Sequence, residues 1–287
     1  MVNKINCNLC DDDFAGFLYS LGPRRVVKCR NCGHMYVNPQ PSLDELEKVY
    51  QEYFKDVKDP DGKSRNWLKE KDAKIREHRK EIKELERFKS NGRILDVGCG
   101  AGFFLSALRS SWEKYGLEFD TEMSEYAKEN FGLEVFNGEL KDSRYEAGFF
   151  DVVNMAHAIE HMQDPFSNLL KANEILKKGG LLVVSTPNVG SFCYNVFKEK
   201  FRLMYDPGHI HFFSARILKL MLKKAGFKVI CVKYPFFNTA FFNRNEVYNL
   251  IKRVPVVFFN RHVRKTGNNL VSPPFYGNVV RIYCVKS

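Results

Sequence analysis

The chain has 287 residues, 44% of them hydrophobic, enough for one full core and a small satellite. A formal net charge of +11 and a sequence pI near 9.2 favour acidic partners such as nucleotide-linked sugars, anionic lipid surfaces or RNA. The stretch 1–14 has no apolar core before its charges begin, and no run reaches the roughly 20 apolar residues of a membrane span; neither a secretory leader nor a membrane span is expected, and a cytoplasmic chain is.

In that compartment eight cysteines read as metal ligands or small buried hydrophobes before disulfides. Cys7-x-x-Cys10 and Cys29-x-x-Cys32 are two knuckles at the C-x2-C…C-x2-C spacing of zinc sites. Each short turn lets two thiolates meet one ion, and two turns complete a tetrahedral sulfur cage with no open position, so the expected metal is a structural zinc. Gly33 follows the second knuckle, where a tight turn needs a left-handed residue. Redox or buried pairs are the alternative. Cys99, Cys193, Cys231 and Cys284 are scattered and read as core or bystander residues. The zinc-ribbon-like module is expected over 1–41, and a helical connector over 42–90.

Asn38 to Ser42 is an extended break, and Ser42 to Glu45 has the capping-box form that starts a helix. A second helix is expected from about Arg65 to Phe88, with Leu68, Ile75 and Ile82 at heptad spacing and Leu85 beside them. Glu77, Glu81, Glu84 and Glu86 intersperse its lysines, so it reads as a solvated amphipathic helix rather than a basic arm. Ile94 to Val97 is then a short buried strand, and Gly98-Cys99-Gly100-Ala101-Gly102 turns from it into a helix from Phe103 to Leu108. Glycines there let backbone touch a ligand, and the helix start offers N–H groups to a carboxylate. A dinucleotide fold would place its third glycine where Phe103 stands, which leans away from NAD. The strand from Lys114 to Glu118 ends in an acid placed to hold both ribose hydroxyls of a nucleoside.

On these residues, 93–234 resembles the class I S-adenosylmethionine-dependent methyltransferases, whose first motif is similar to Leu95 through Gly102. The resemblance implies an α/β, Rossmann-like seven-stranded sheet with helices on both faces and an antiparallel last strand. It also implies S-adenosylmethionine as cofactor, with Asp96, Gly98 and Gly100 at its methionine half and Glu118 on the ribose. Glu139 stands where the family has an Asp beside the adenine, and Asn154 to His157 would pass near the sulfonium. Phe150 to Met155 reads as the fourth strand, Leu169 to Leu176 as a helix ended by Gly179-Gly180, and Leu181 to Pro187 as the fifth strand. A helix from Ile217 to Ala225, an alternating strand from Phe227 to Tyr234 and a closing strand from Val279 to Val285 complete a catalytic domain over 91–287. Insertions at 190–214 and 236–276 read as lids or substrate walls. Aromatic pairs in the second, Phe236-Phe237, Phe241-Phe242 and Phe258-Phe259, also admit ordinary packing or peripheral membrane contact.

His157-Ala158-Ile159-Glu160-His161 spells an inverted zinc-protease signature, but at the end of a strand of this kind a protease is not expected. In quinone O-methyltransferases of this fold a similar Glu-x-x-Glu-His run binds a divalent metal, and here His157 replaces the first Glu. The segment Tyr205 to Ser214 resembles the Glu-His-x-x-Tyr-Phe-Ser signature of zinc-binding methyltransferases that act on sugars. His209 then falls on their catalytic histidine and Gly208 on their Glu, which turns the expectation from C- to O-methylation. His209 is the expected general base; His211 would share its face in an extended segment, and His161 and His157 stand in reserve. The expected acceptor is a small molecule or glycan, anionic or carrier-linked, such as a sugar of a surface polysaccharide or its nucleotide- or lipid-linked precursor. The alternatives are an rRNA base, a quinone or lipid hydroxyl, or a non-enzymatic cofactor-binding scaffold.

Overall fold

The computed structural model describes residues 4–53, 57–58, 64–65, 68–236, 248–256 and 272–287. The front forms an antiparallel ribbon of β1 (Ala15–Leu21) and β2 (Arg24–Cys29), extended by β3 (Met35–Val37). The capping box closes as expected: Ser42 N donates to Glu45 Oε2 at 2.8 Å and Glu45 N to Ser42 Oγ at 3.2 Å, starting α1 (Leu43–Tyr53). A small pair, β4 (Val57–Lys58) and β5 (Ser64–Arg65), precedes α2 (Lys71–Leu85). The helix expected from Arg65 therefore starts later, because Arg65 pairs with Val57 instead. Ile82 and Leu85 bury one stripe of α2, while Leu68 and Ile75 pack toward Phe103 and Met123.

The remaining order is β6 (Gly92–Val97), α3 (Phe103–Ala107), β7 (Trp112–Glu118), α4 (Thr121–Phe131), β8 (Glu134–Asn137), β9 (Phe150–Ala156), α5 (Pro165–Ile175) and β10 (Leu176–Pro187). Then come α6 (Phe192–Phe197), β11 (His211–Phe212), α7 (Ala215–Lys224), β12 (Phe227–Lys233), a helix at 248–256 and β13 (Val279–Lys286). Seven strands join in the order β12-β13-β10-β9-β6-β7-β8. All neighbours run parallel except β13, which is antiparallel to both β10 and β12. This is the Rossmann-like sheet expected, and its central strands are buried on both faces, as a parallel sheet between helix layers must be. From β6 the chain winds outward to β7 and β8, then returns to the other side at β9. At such a switch point the carboxyl ends of adjacent strands part and open a crevice.

Two expectations need correction. The helix before the fifth strand ends at Ile175 rather than at the glycines, and β10 begins at once with Leu176 paired to Phe150. The register then slips before Leu181 pairs with Val152, so Gly179 and Gly180 lie within a bulge; a Cβ on Gly180 would sit 2.8 Å from Lys177 O. The segment 190–214 is not simply an insertion over the site. Its β11 pairs antiparallel with β3, His211 opposite Tyr36 and Phe212 opposite Met35, and so becomes the fourth strand of the front ribbon. Cys7, Leu9, Val27, Cys29 and Tyr36 accordingly share one buried cluster with Leu169, Ile175, Leu218 and Met221. Of the second insertion, Phe236 is buried and Leu250 packs with Phe197, Phe201 and Ile210. Phe237, Phe241, Phe242, Phe258 and Phe259 lie outside the described residues. Among the described residues no helix is long and apolar enough to cross a membrane.

Candidate active site

Strand β6 ends on Asp96 and Val97, and the turn that follows must fold back over the sheet edge. Gly98, Gly100 and Gly102 take φ of +74°, +52° and +79°, a region that side chains disfavour. Space excludes them as well: a Cβ on Gly98 would lie 3.1 Å from Ala158 Cβ, and on Gly102 2.6 Å from Leu133 Cδ1. The turn is tied to β7, since Gly98 N and Cys99 N donate to Leu117 O at 2.8 and 3.1 Å and Gly100 N donates to Glu118 Oε2 at 2.7 Å. The other Glu118 oxygen accepts from Asp120 N at 2.9 Å. Burial raises the Glu118 carboxyl, with these N–H groups pulling the other way.

Cross-strand pairing sets Asp96 opposite Asn154, whose Nδ2 donates to Asp96 Oδ1 at 2.8 Å. Burial nonetheless pushes the Asp96 carboxyl up to about 7. At the end of β9, His157 leaves with φ +57°, its N–H donating to Ser185 O at 2.8 Å and its side chain 48% exposed. Glu139 lies beyond β8, 2.6 Å from Lys141 Nζ, just after Gly138 N donates to Glu118 O. Asp96, Gly98, Gly100, Glu118, Asn154 and His157 thus gather along the carboxyl ends of β6, β7 and β9, with Glu139 at the outer end.

On the far side of His157 a 3-10 turn, Ile159–His161, buries Glu160 to 1% exposure. Neither Glu160 oxygen makes a well-formed hydrogen bond among the described residues; imidazoles surround it instead, His157 Nδ1 at 3.3 Å and His209 Nε2 at 3.9 Å. Burial alone would raise the Glu160 carboxyl, but His157, then His209 and His161, outweigh it and hold it at about 2. The His209 ring sits edge-on to His161 with centroids 4.7 Å apart. His209 Nδ1 lies 2.8 Å from Leu203 O, so Nδ1–H donates there and Nε2 faces Glu160 and Asp206 Oδ2, the latter at 3.6 Å. A Cβ on Gly208 would lie 2.8 Å from His161 Nδ1; the glycine leaves its space to that imidazole.

His211 does not join this group. Its place opposite Tyr36 stacks its ring with His34, centroids 5.2 Å apart, and its Nε2 meets Gln40 Nε2 at 3.1 Å. Burial lowers its pKa to about 4, which keeps it neutral inside the ribbon interface. Three further residues shape the site, and two of them, Arg24 and Tyr50, carry no local sequence signal. Arg24 of β2 donates from Nη1 to the carbonyls of Asp206 (2.7 Å), Pro207 (3.3 Å) and His209 (3.0 Å) and from Nη2 to Met204 O (3.2 Å), so the ribbon braces the loop that carries His209. Tyr50 of α1 lies over His161, ring centroids 5.8 Å apart, and Asp206 flanks His209. Arg24 and Tyr50 reach the site from distant parts of the chain, Asp206 from three residues before His209.

The four patterned cysteines meet as pairs, Cys7 with Cys32 and Cys10 with Cys29, sulfurs 3.5 Å apart in each, and all four lie within 4.8 Å of one another. Tetrahedral zinc with Zn–S near 2.3 Å spaces its sulfurs roughly 3.8 Å apart. The donor set therefore fits the ion. Glu160, His161 and His209 form a second group of donor atoms within 4.8 Å.

A family model described as a methyltransferase domain matches residues 69–232. An uncharacterized protein of Methanocaldococcus jannaschii is 28% identical over 153 residues, 53% of this chain and 73% of its own length. A ubiquinone biosynthesis O-methyltransferase of Ruegeria is 32% identical over 158 residues, 51% of this chain, and the match spans only 64% of that relative. An S-adenosylmethionine-dependent methyltransferase of Thermotoga maritima superposes with a TM-score of 0.53 at 24% identity, over 86% of this chain and 100% of the other, a likeness of fold.

Proposed function

The chain belongs to the methyltransferase-domain family and is an S-adenosylmethionine-dependent methyltransferase, and from that premise we propose that it methylates a hydroxyl oxygen of a small-molecule or glycan acceptor. The observation that carries the reading is His209 Nε2 turned toward the buried Glu160 carboxylate, whose same oxygen lies 3.3 Å from the half-exposed His157. S-adenosylmethionine supplies an electrophilic methyl group on a sulfonium. Glu118 would take the ribose hydroxyls, Glu139 would lie by the adenine and Asp96 would face the methionine ammonium, the Gly98 and Gly100 backbone letting the ligand approach. Asn154 and His157 would border the sulfonium.

In-line displacement would form the new C–O bond as the methyl–sulfur bond breaks, S-adenosylhomocysteine leaving with that electron pair, and asks the protein mostly to align the acceptor and remove its proton. His209 Nε2 accepts that proton, the Leu203 carbonyl holding the tautomer and Glu160 stabilising the imidazolium that results. General-base help of this kind contributes about a hundredfold to ten-thousandfold. Cys7, Cys10, Cys29 and Cys32 would hold a structural zinc, which would steady the ribbon from which Arg24 braces the His209 loop. A second reading of the centre, favoured by the closeness of Glu160, His161 and His209 donor atoms, is that it holds a divalent cation.

The preferred acceptor is a sugar of a surface polysaccharide or its nucleotide- or lipid-linked precursor, from the likeness of Tyr205 to Ser214 to sugar-acting enzymes. A quinone precursor is the second reading, favoured by the Ruegeria relative. Transfer of a tritiated methyl group across a panel of nucleotide sugars, 3,4-dihydroxybenzoate and rRNA decides between them. Label on a sugar oxygen is the expected result. Label on the catechol moves the acceptor to the second reading, and label on RNA nitrogen or carbon overturns O-methylation.

A further inference from the structure

The front ribbon carries two adjoining hollows that the methyl transfer does not use. One, of about 490 Å³, lies between the ribbon and helices α6 and α7; the other, of about 580 Å³, opens over β1 and the second cysteine knuckle. Both are lined by Leu18, Lys28, Gly33 and Arg216, so a single groove runs past that joint. Alternation along β2 turns Lys28 to the same side as Val26, away from Val27 and Cys29, which pack toward the sheet. Arg216 stands in the first turn of α7 and its Nη2 donates to Cys32 O at 2.8 Å. A Cβ on Gly33, at φ +85°, would lie 3.4 Å from Arg216 Nη2 and 3.6 Å from Lys28 Cε, so the two cations flank that glycine. Arg30 lies over the Phe14 ring, 4.5 Å from its centroid, and its Nε would be 3.3 Å from a Cβ on Gly16.

Lys28, Arg30, Lys198 and Arg216 line the groove against one acid, Glu199. Among the described residues Lys28, Arg30 and Arg216 have no ion-pair partner. The cysteine cage beside them offers one account of this excess, since four thiolates around one zinc carry a formal charge of about −2. Cations serving the cage would stand against its sulfurs, yet none of the three contacts one: Arg216 reaches a carbonyl and Arg30 an aromatic ring. Their charge is turned into the groove instead. Apolar surface lies on either side of it, Phe17 in one hollow and Tyr194 and Phe212 in the other, with Leu18 at the joint.

We propose that the groove binds an organic diphosphate, its phosphates at the joint between Lys28 and Arg216 and its organic part in the hollows beside them. The planar fork of an arginine matches phosphate oxygens two at a time, and a lysine adds a compact charge. Each hollow is within the roughly 300–1,000 Å³ of small-molecule sites, and apolar walls with a few convergent polar groups are their usual lining. Arg24, which braces the His209 loop, stands on the same side of β2 four residues before Lys28, roughly 13 Å at about 3.3 Å per residue. The groove is thus set apart from the catalytic centre, as suits the carrier end of a glycan whose reacting sugar lies further along. That role rests on the glycan reading above; the binding itself does not.

Calorimetry on the full chain, with S-adenosylhomocysteine present to fill the cofactor site, tests this with inorganic pyrophosphate, UDP-glucose and farnesyl diphosphate. All three are expected to bind, one organic diphosphate at least tenfold more tightly than pyrophosphate. UDP-glucose as the tighter ligand assigns a nucleotide carrier, and farnesyl diphosphate a lipid one. Lys28→Gln and Arg216→Gln should each weaken that ligand at least tenfold, with zinc content and S-adenosylhomocysteine affinity unchanged, and Lys128→Gln on α4 should change nothing. No binding of any probe overturns the proposal, as do organic diphosphates no tighter than pyrophosphate, or equal losses in Lys128→Gln. Loss of zinc in Lys28→Gln would make the cations counter-ions of the cage and overturn it too. Methyl transfer is not read, so a failed acceptor panel and an empty groove are separate results.

Discussion

Asp96 offers a test in which stability and binding move in opposite directions. Its carboxyl is 4% exposed and accepts one hydrogen bond, from Asn154, while burial raises it from 3.8 to about 7. A folded-state pKa above the unfolded one means that the protonated form favours the fold. That contribution is fully present below pH 4 and is lost as pH rises through 7. A shift of roughly 3 units at 1.36 kcal/mol each makes the ionised carboxyl cost the ligand-free protein about 4 kcal/mol above pH 7. Asp96→Asn keeps an acceptor for Asn154 and removes the charge. Thermal unfolding without ligand should find the variant matched to the native chain near pH 4 and more stable by pH 8. At roughly 2–4 °C per kcal/mol for domains of 150–250 residues, the gap is about 8 °C or more. The same variant should bind S-adenosylmethionine at least tenfold more weakly, about 1.4 kcal/mol, because the ammonium loses its counter-charge. A variant no more stable than the native chain at pH 8, or a gap that is the same at both pH values, refutes the reasoning.

Glu118→Ala should cost at least tenfold in S-adenosylmethionine affinity by calorimetry, with the glycine turn loosened through the lost Gly100 N–H bond. His209→Ala should lower turnover at least a hundredfold on the acceptor found by label transfer while S-adenosylmethionine affinity stays within about threefold; near-native turnover would give His209 another role. Elemental analysis of protein purified without chelator should find about one zinc per chain, and Cys7→Ser or Cys29→Ser should lose it together with stability of the front ribbon. Metal-free native protein with an intact ribbon would reject the zinc cage. Mn2+ titration, followed by electron paramagnetic resonance, examines the second reading of the histidine centre: binding abolished by His161→Ala and His209→Ala supports it, and no binding to the native chain removes it.

The glycine turn, the acid ending β7 and the cysteine knuckles were legible because each is a local pattern whose backbone demands are met within a few residues. Glycines 98 and 102 are required both by positive φ and by Ala158 and Leu133 pressing on them, so spacing alone carried much of the information. The place of His211 was not legible, because a two-residue strand has no periodicity and its partner β3 lies in the front ribbon. Alternation put His209 and His211 on one face, whereas the ladder draws His211 to His34 and the Leu203 carbonyl draws His209 to Glu160. Gly179 and Gly180 looked like a helix stop because a bulge uses the same residue type. In α2 the mixture of acids and lysines concealed the ion pair of Glu81 with Arg281 of β13, since charge composition alone does not reveal a partner some 200 residues away.

In the proposed placement the cofactor would lie along the carboxyl ends of β6, β7 and β9 with its reacting end toward His209 and Glu160. A crystal structure of the chain with S-adenosylhomocysteine tests this directly. Both ribose hydroxyls are expected on Glu118, replacing its present bond to Gly100 N, and the thioether sulfur beside Asn154 and His157 with an open path toward His209 Nε2. A ligand whose ribose contacts another residue, or whose sulfur is walled off from His209, contradicts it.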